Sequence, residues 1–529
     1  MTWRISLVLA GLGLGLALAV ASFQAFPGYL DSDYYFGGGV QLALGNGFSE
    51  PYLWNYLDDP QGLPHPSHMY WMPLASILAA SGMWLTGQTT YAAGRLGFLA
   101  MAAAAPVLAA AVAHAFSRRR DLALISGLLA VFSIYYVPFL PVPDNYGLYL
   151  VLGALFLLAL GGRQSASYLA MGLLAGLMTL ARTDGVLWLA LAAVAAVLSV
   201  RPLAPRAVPE SLPPAPDRLH LRNYARATIR IALAVGGFVL VTAPWWLRSY
   251  SAHGGVSAPG GERLLWLTTY DDLFAYPAEQ LTYDRWIAQG LPDIMSARLT
   301  ALRWNLLNAF AAQGGIFLFP FILVGAWLHR RDVRVQIGIL GWLSLLVMMT
   351  VVFPFAGARG GFFHAGAGIQ SLWWALAPLG LESAVTAARK RGMFTPQAFT
   401  VFSGALVGIA ALMTAIIFSI RVLPGWGEGE QAYPGIEAFL ERSGATPGEV
   451  VMVRNPPGYY ILTGRPAIVV PYAGPSDMLA AARRYNAKYL VIERAGAAGP
   501  IQTVYADLRG ENFEFLGELD GTRVFRVRP

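Results

Sequence analysis

The chain has 529 residues, of which 56% are apolar and only 13% are charged. A soluble protein of this length needs more charge to cover its surface, so the composition excludes an ordinary soluble enzyme. The net charge of +7 does not indicate nucleic-acid binding, because the arginines cluster between apolar runs. The absence of cysteine excludes disulfides and thiolate metal sites.

Apolar runs near the roughly 20 residues that cross a bilayer recur from residue 4 to residue 420. They predict a polytopic α-helical membrane protein with about 11 transmembrane helices in residues 1–420 and a small α/β soluble domain in residues 421–529. The predicted spans are 4–26, 92–116, 121–138, 145–161, 166–181, 185–200, 228–246, 304–327, 335–353, 366–385 and 396–420. With this count the positive-inside rule places the N-terminus in the cytoplasm and residues 421–529 outside the plasma or inner membrane.

The segment 27–90, between the first two spans, is expected to stay outside. The first span is interpreted as an uncleaved signal anchor; a cleaved signal peptide is the alternative, and both leave residue 27 outside. The apolar stretch 70–86 is too short for a full crossing and is expected to form a re-entrant or interfacial helix. Residues 201–227 are rich in proline and arginine and are expected to form a cytoplasmic loop.

Residues 421–529 alternate helix-like and strand-like patterns, which is typical of a small layered α/β domain. Helices are predicted at 435–443 and 476–486, and strands at 449–453, 467–470, 489–493, 513–516 and 522–527. No glycine-rich phosphate-binding motif occurs there.

The predicted spans carry almost no ionisable residue at mid-membrane depth, whereas ion-coupled transporters usually need such groups. The acids lie in the outer loops instead, which favours chemistry at the outer surface. Asp31 and Asp33 follow the first span directly, at the level of lipid headgroups. They are candidate catalytic carboxylates; the alternative is that they are simply solvated.

His65, His68 and Tyr70 lie at the start of the stretch 70–86. Free N–H groups at a helix start and histidine side chains both suit an anion, so a phosphate site is predicted there. A metal site formed by the two histidines with Asp58 or Asp59 is the alternative.

Asp144 and Arg359 are expected at outer turns between spans. Asp144 precedes a helix and could either cap it or bind substrate. Arg359 stands among glycines and matches a phosphate, or alternatively a lipid headgroup. Arg182 and Asp184, at another outer turn, could either form a self-contained ion pair or, like Asp144, contact a substrate or a cation.

The order of these features resembles the polyprenyl-phosphate-sugar-dependent glycosyltransferases of the GT-C fold, which include protein O-mannosyltransferases and the aminoarabinose transferases of lipid A. The resemblance covers residues 1–420. It rests on the aspartate after the first span, the amphipathic stretch Tyr34–Leu44, His65-Pro66 before Tyr70-Trp71, Asp144 at the start of a span, and Pro244-Trp245-Trp246-Leu247-Arg248 at the end of another. The family has Asp-Glu after its first span, whereas Ser32 and Asp33 follow Asp31 here.

The resemblance implies an inverting transfer of a hexosyl or pentosyl group from a polyprenyl-phosphate donor to a lipid, glycan or protein acceptor. Asp31, favoured by position, or Asp33 would be the general base. Arg359 and His65 would balance the charge of the phosphate, and membrane lipids are the other expected partners. No cofactor is expected. The enzymatic alternative is an oligosaccharyl- or phospho-sugar transferase that uses a divalent metal at Asp31 and Asp33. A lipid-linked glycan flippase and a non-catalytic envelope scaffold are the alternatives of other classes.

Overall fold

The structure is a computed structural model that describes residues 2–162, 164–200 and 218–528, with the backbone alone for residues 218–222. Most of the predicted cytoplasmic loop 201–227 therefore lies outside the described residues. The helices before residue 201 are α1 (Trp3–Ala21), α2 (Leu30–Ala43), α3 (Leu74–Thr86), α4 (Tyr91–Gly94), α5 (Leu96–Ser117), α6 (Arg120–Val131), α7 (Asn145–Ala159), α8 (Ser165–Ala181) and α9 (Val186–Leu198).

The helices from residue 218 onward form two groups. One group ends at residue 421, and the other belongs to the C-terminal part. The first group is α10 (Arg218–His253), α11 (Tyr283–Ala288), α12 (Leu291–Asn308), α13 (Phe319–Leu328), α14 (Val333–Val347), α15 (Pro354–Ala356), α16 (Phe362–Lys390) and α17 (Ala398–Arg421). The second is α18 (Tyr433–Arg442), α19 (Pro456–Thr463), α20 (Pro475–Arg484) and α21 (Ile501–Ala506).

Several helical segments of the described residues suit a membrane. Those long and apolar enough to cross one are Trp3–Ala21, Tyr91–Ser117, Asn223–His253, Val333–Val352 and Ala398–Arg421. The shorter apolar helices are Leu74–Thr86, Asn145–Ala159, Ser165–Ala181, Thr183–Leu198 and Phe319–Leu328. The chain is thus a multi-pass membrane protein, and the count of about 11 crossings stays a prediction.

Two predicted spans are not single helices. The span 121–138 is wrong in its second half: α6 ends at Val131, and a tighter helical turn over Ile134–Phe139 follows it. Pro138, within that turn, and the prolines after it lack the N–H group that an α-helix needs. The span 304–327 is also wrong as one helix, because the chain breaks at Gly314-Gly315 before α13 begins.

Helices α7 and α16 approach each other closely in the helical core. A Cβ atom built on Gly153 of α7 would collide with the backbone of Gly368 of α16. Glycine at both positions therefore lets the two backbones touch. Asp144 lies at the N-terminal end of α7 and His364 at that of α16.

A six-stranded sheet joins the outer segment 27–90 to the end of the chain. The strands are β1 (Ser49–Glu50), β2 (Tyr52–Leu53), β3 (His65–Pro66), β4 (Val450–Val453), β5 (Ala467–Val469), β6 (Ala487–Ile492), β7 (Phe513–Leu519) and β8 (Thr522–Val527). The order in the large sheet is β2-β5-β4-β6-β8-β7, with β2 parallel to β5, while β1 pairs with β3. The strands predicted after residue 448 are present, but the sheet takes its first strand from the outer segment.

Candidate active site

Three side chains from three helix starts meet in one cluster. Asp31 lies in the first turn of α2, Asp144 immediately precedes α7, and His364 lies in the first turn of α16. His364 Nε2 is 4.0 Å from Asp31 Oδ2, and His364 Nδ1 is 3.8 Å from Asp144 Oδ1. One ligand atom of each residue lies within 4.8 Å of the others. We call these three residues the Asp-Asp-His cluster.

Asp144 is held firmly by its neighbours. Its Oδ1 accepts a hydrogen bond from the Asn145 N–H (2.5 Å), which is the N-cap that the sequence predicts. Its Oδ2 accepts a hydrogen bond from the Tyr29 hydroxyl (2.5 Å), in the turn before α2. Asp144 therefore ties the start of α7 to the start of α2, where Asp31 lies.

His364 was assigned no role from the sequence. Its ring stacks on that of Tyr146 in α7, with centroids 4.0 Å apart. Its buried Nδ1 has no hydrogen-bond partner among the described residues, so the nitrogen is free for a proton, a substrate or a metal ion. The signal that could have identified it is a histidine at the outer end of a predicted span, next to Arg359 and its glycines.

Burial and mutual repulsion shape the titration of the two aspartates. The side chain of Asp31 is 33% exposed, whereas that of Asp144 is fully enclosed. Burial, followed by the charge of Asp144, raises the pKa of Asp31 to about 7. Burial also raises the pKa of Asp144, and the Tyr29 hydrogen bond opposes that rise. An accessible carboxylate with a pKa near neutrality suits a general base.

Cationic charge comes from two arginines. Arg182 forms the predicted ion pair with Asp184 (2.8 Å) and also favours ionisation of Asp31. Arg359 is exposed, lies 4.5 Å above the ring of Tyr270 and has no carboxylate partner among the described residues. It precedes Gly360, whose φ of +108° gives the loop a turn that other residues rarely adopt.

Two tyrosines connect Arg359 with the Asp-Asp-His cluster. Burial raises the pKa of Tyr270, with Asp31 adding to the rise and Arg359 opposing it. Burial likewise raises the pKa of Tyr70, to which both Tyr270 and Asp31 contribute. The charges of Asp31 and Arg359 thus both act on Tyr270, against which Arg359 lies.

His65 and His68 lie inside the outer segment instead. His65 Nε2 is 3.2 Å from Glu50 Oε1 and 3.1 Å from the Tyr52 carbonyl oxygen. Burial lowers the pKa of His65 to about 4 and raises that of Glu50. The ring nitrogens of His68 contact the hydroxyls of Ser67 (2.7 Å) and Ser76 (2.9 Å). Their predicted role in phosphate binding gains no support from this placement.

Asp33 points away from the Asp-Asp-His cluster. Residues two apart on an α-helix are about 200° apart around its axis, so Asp31 and Asp33 face nearly opposite directions. Asp33 is only 1% exposed, and its Oδ2 accepts a hydrogen bond from the Asn455 side chain (2.8 Å) in the C-terminal part. It thus lacks the access that a base acting on substrate needs.

The Asp-Asp-His cluster fits a divalent cation. Two carboxylates and an imidazole are common ligands of transition metals. The Nδ1 atom of His364, which has no hydrogen-bond partner among the described residues, has a lone pair available for a metal ion. The alternative metal site of His65 and His68 with Asp58 or Asp59 fits less well. Asp59 contacts Arg484 (3.6 Å) and Tyr485 (3.3 Å) instead.

Comparisons with known proteins identify the fold. No protein-family model matches the chain, and no curated protein matches it either. Among solved structures, the apo oligosaccharyltransferase of Archaeoglobus fulgidus superimposes with a TM-score of 0.55 and 13% identity over 95% of this chain and 70% of its own. AglB of the same organism, in complex with an inhibitory peptide and a dolichol-phosphate, gives a TM-score of 0.53 and 13% identity over 99% and 74% of the two chains.

A bacterial structure matches over nearly its whole length. ArnT from Cupriavidus metallidurans, bound to undecaprenyl phosphate, has a TM-score of 0.58 and 11% identity over 98% of this chain and 97% of its own. At such identities the likeness shows the fold, and the GT-C fold predicted from the sequence is confirmed.

Proposed function

From the GT-C fold and the Asp-Asp-His cluster, we propose that this protein transfers a hexosyl or pentosyl group from a polyprenyl-phosphate donor to a hydroxyl of a lipid, glycan or protein acceptor. The observation that carries the proposal is the convergence of Asp31, Asp144 and His364. Arg359, which lies against Tyr270 and has no carboxylate partner in the described part of the chain, adds a cation. The structures of AglB with a dolichol-phosphate and of ArnT with undecaprenyl phosphate support a lipid-phosphate donor.

In the proposed reaction Asp31 is the general base. Its carboxylate takes the proton of the acceptor hydroxyl while that oxygen attacks the anomeric carbon. The bond between this carbon and the phosphate oxygen breaks, and the polyprenyl phosphate leaves with the bonding electrons. Because attack and departure occur on opposite faces, the anomeric configuration is inverted. A phosphate is a stable leaving group, so the second carboxylic acid that glycosidases use is not required.

Two other residues have proposed supporting roles. Arg359 would bind the phosphate, since its planar guanidinium matches phosphate oxygens and none of the carboxylates in the described residues pairs with it. Asp144 would orient its neighbours, because both of its oxygens are occupied by Tyr29 and Asn145. Tyr70 and Tyr270 would form walls of the same site.

We place the site on the external face of the cell membrane. α2, α7 and α16 carry their cluster residues at their N-terminal ends, and the predicted topology puts those ends outside. Residues 1–420 would form the catalytic membrane domain and residues 421–529 an external domain. This arrangement gives the site access to a lipid-linked donor in the outer leaflet.

The decisive experiment is an Asp31→Asn substitution. The assay uses a panel of polyprenyl-phosphate hexoses and pentoses as donors. We expect turnover of the donor that wild type uses to fall about 10²–10⁴-fold. Mass spectrometry of lipid-linked and envelope glycans should show the same product missing. Asp284→Asn changes an exposed acid of an outer loop and is the matched control. Wild-type turnover in Asp31→Asn would exclude this function.

A metal-dependent version of the reaction is the second candidate, and the Asp-Asp-His cluster favours it. A divalent ion held by these three residues would stabilise the charge of the leaving phosphate. For the metal-free version we expect full activity after treatment with a chelator. Loss of activity that Mg²⁺, Mn²⁺ or Zn²⁺ restores would instead establish the metal-dependent version.

A further inference from the structure

The C-terminal part of the chain makes direct polar contacts with α2. The Asn455 side-chain amide donates hydrogen bonds to Asp33 Oδ2 (2.8 Å) and to Glu430 Oε1 (3.1 Å). The carbonyl oxygen of the same amide accepts a hydrogen bond from the Gly458 N–H (3.2 Å), as the N-cap of α19. Because the cap uses the oxygen, the NH₂ group must face the two carboxyls.

The two carboxyl groups are both enclosed. Asp33 is 1% exposed and Glu430 is 5% exposed. The Asn455 amide donates to both of them, so one side chain of the C-terminal part ties Asp33 to Glu430. Loss of a hydrogen-bond donor to a buried acceptor is costly.

The residues next to Glu430 also hold the turn that precedes α2. The Trp426 ring N–H donates to the carbonyl oxygens of Phe26 (3.1 Å) and Pro27 (3.0 Å). Gly28, with a φ of +88°, lies against this ring so closely that a Cβ atom would collide with it. At the other end of α2, the Gln41 side chain donates to the Tyr460 hydroxyl (3.1 Å). The C-terminal part thus fixes both ends of α2.

These contacts determine where Asp31 points. Asp33 is bound on one side of the first turn of α2, so Asp31 is directed to the other side, toward Asp144 and His364. A rotation of the turn would separate the Asp31 carboxylate from the Asp-Asp-His cluster. Neither Glu430 nor Asn455 contacts that cluster, so they act through Asp33.

We propose that Glu430 and Asn455 are positioning residues for the transfer reaction, holding Asp33 so that Asp31 faces the substrate. The inference rests on the proposed function. It assigns a role in turnover to residues 421–529, and Glu430 and Asn455 are the two side chains that have this role.

The test compares Asn455→Ser, Glu430→Ala and Glu430→Gln in the full-length protein. Serine keeps the cap of α19 but does not reach the carboxyls, and glutamine keeps the Oε1 acceptor for the Asn455 amide. The assay follows release of polyprenyl phosphate. Its donor is the polyprenyl-phosphate hexose that wild type turns over fastest. We expect Asn455→Ser and Glu430→Ala to lower kcat about 10²-fold with the donor KM within about twofold, as for a misplaced catalytic group.

Controls separate positioning from folding. Glu430→Gln should retain more than half of the wild-type kcat. Asn455→Ser should stay folded at the assay temperature, with a melting temperature somewhat below that of wild type because two buried carboxyls lose a donor. Glu518→Ala removes an exposed ion pair with Arg523 on β7 and should have no effect. Wild-type kcat in Asn455→Ser, or equal losses in both Glu430 variants, would overturn the inference.

Two further results complete the test. If Asn455→Ser and Glu430→Ala do not fold, a double-mutant cycle of Asp33→Asn with Glu430→Gln replaces them. Losses in kcat that are not additive support action through Asp33, whereas additive losses contradict it.

Asp31→Asn is assayed in parallel. Activity in that variant refutes the proposed function itself. An inactive Asp31→Asn together with an unaffected Asn455→Ser refutes only the positioning role.

Discussion

Asp31 and Asp33 differ in their surroundings although only one residue separates them. Asp31 is accessible and shares a region with Arg359, whereas Asp33 is enclosed between α2 and the C-terminal part. The sequence could place both carboxylates at the exit of the first helix. It could not separate their roles, because the partners of Asp33 lie about 400 residues further along the chain.

The substitution Arg359→Ala tests the phosphate contact. Removal of a charge-assisted hydrogen bond costs about 1.5–3 kcal/mol, so we expect the donor KM to rise about tenfold or more. Arg359→Lys keeps the charge without the planar guanidinium, so its donor KM should lie between those of wild type and Arg359→Ala. Arg509→Ala removes an exposed arginine of the C-terminal part and serves as the control. A donor KM equal to that of wild type in Arg359→Ala would contradict phosphate binding.

Asp58 gives a pH-dependent prediction for stability. Burial raises its pKa from 3.8 to about 6. A carboxyl whose pKa is higher in the folded state destabilises the fold progressively as pH rises between these two values, because the unfolded chain ionises first. Asp58→Asn removes this titration. Its melting temperature should therefore exceed that of wild type above pH 6, and the difference should shrink toward pH 4; a constant difference across this range would contradict the burial effect.

At the level of elements, the closely packed pair α7 and α16 brings Asp144 to His364. Gly153→Val should force these helices apart, at a typical cost of about 1–3 kcal/mol for overpacking. We expect a lower melting temperature in detergent and a large loss of turnover. Gly404→Val in α17 is the matched control, since a Cβ atom there has open space. Equal melting temperatures for the two variants would show that α7 and α16 tolerate separation.

Elements with a strong local signal could be predicted from the sequence, and those that depend on distant partners could not. The apolar runs and the strands after residue 448 have clear patterns. β2 has only two residues, Tyr52–Leu53, and exists because β5 offers a parallel edge. The breaks at Gly314-Gly315 and after Val131 interrupt sequences whose hydropathy is continuous, so hydropathy alone predicted single helices there.

The same distinction explains what could be predicted of the site. Asp144 has a local capping signal, and its role as an N-cap is confirmed. Arg359 is singled out by its glycines. His364 needed the packing of α16 against α7 to become a neighbour of Asp144, which no local pattern encodes. His65 and His68 suggested a phosphate site by their type, but burial gives them internal partners.

For the whole molecule, the shared sheet predicts that the outer segment and the C-terminal part unfold together. Because the chain has no cysteine, single labels can be introduced at Gly62→Cys and Gly474→Cys, both in open space. We expect the two labels to report the same melting midpoint within about 2 °C, as a cooperative unit does. Wild-type protein, which takes up no label, is the blank. A lower midpoint at position 474 would mean that the C-terminal part unfolds independently.

The pairing of β2 with β5 also has a consequence for biosynthesis. Tyr52–Leu53 leaves the ribosome early, while its partner Ala467–Val469 is made only near the end of translation. At roughly 5–20 residues per second, the early strand waits about 20–80 seconds for its neighbour. Until the C-terminal part is made, α2 lacks its hydrogen bonds to Asn455 and Tyr460. A nascent chain stalled before residue 430 is therefore expected to be inserted in the membrane without the transfer activity proposed above.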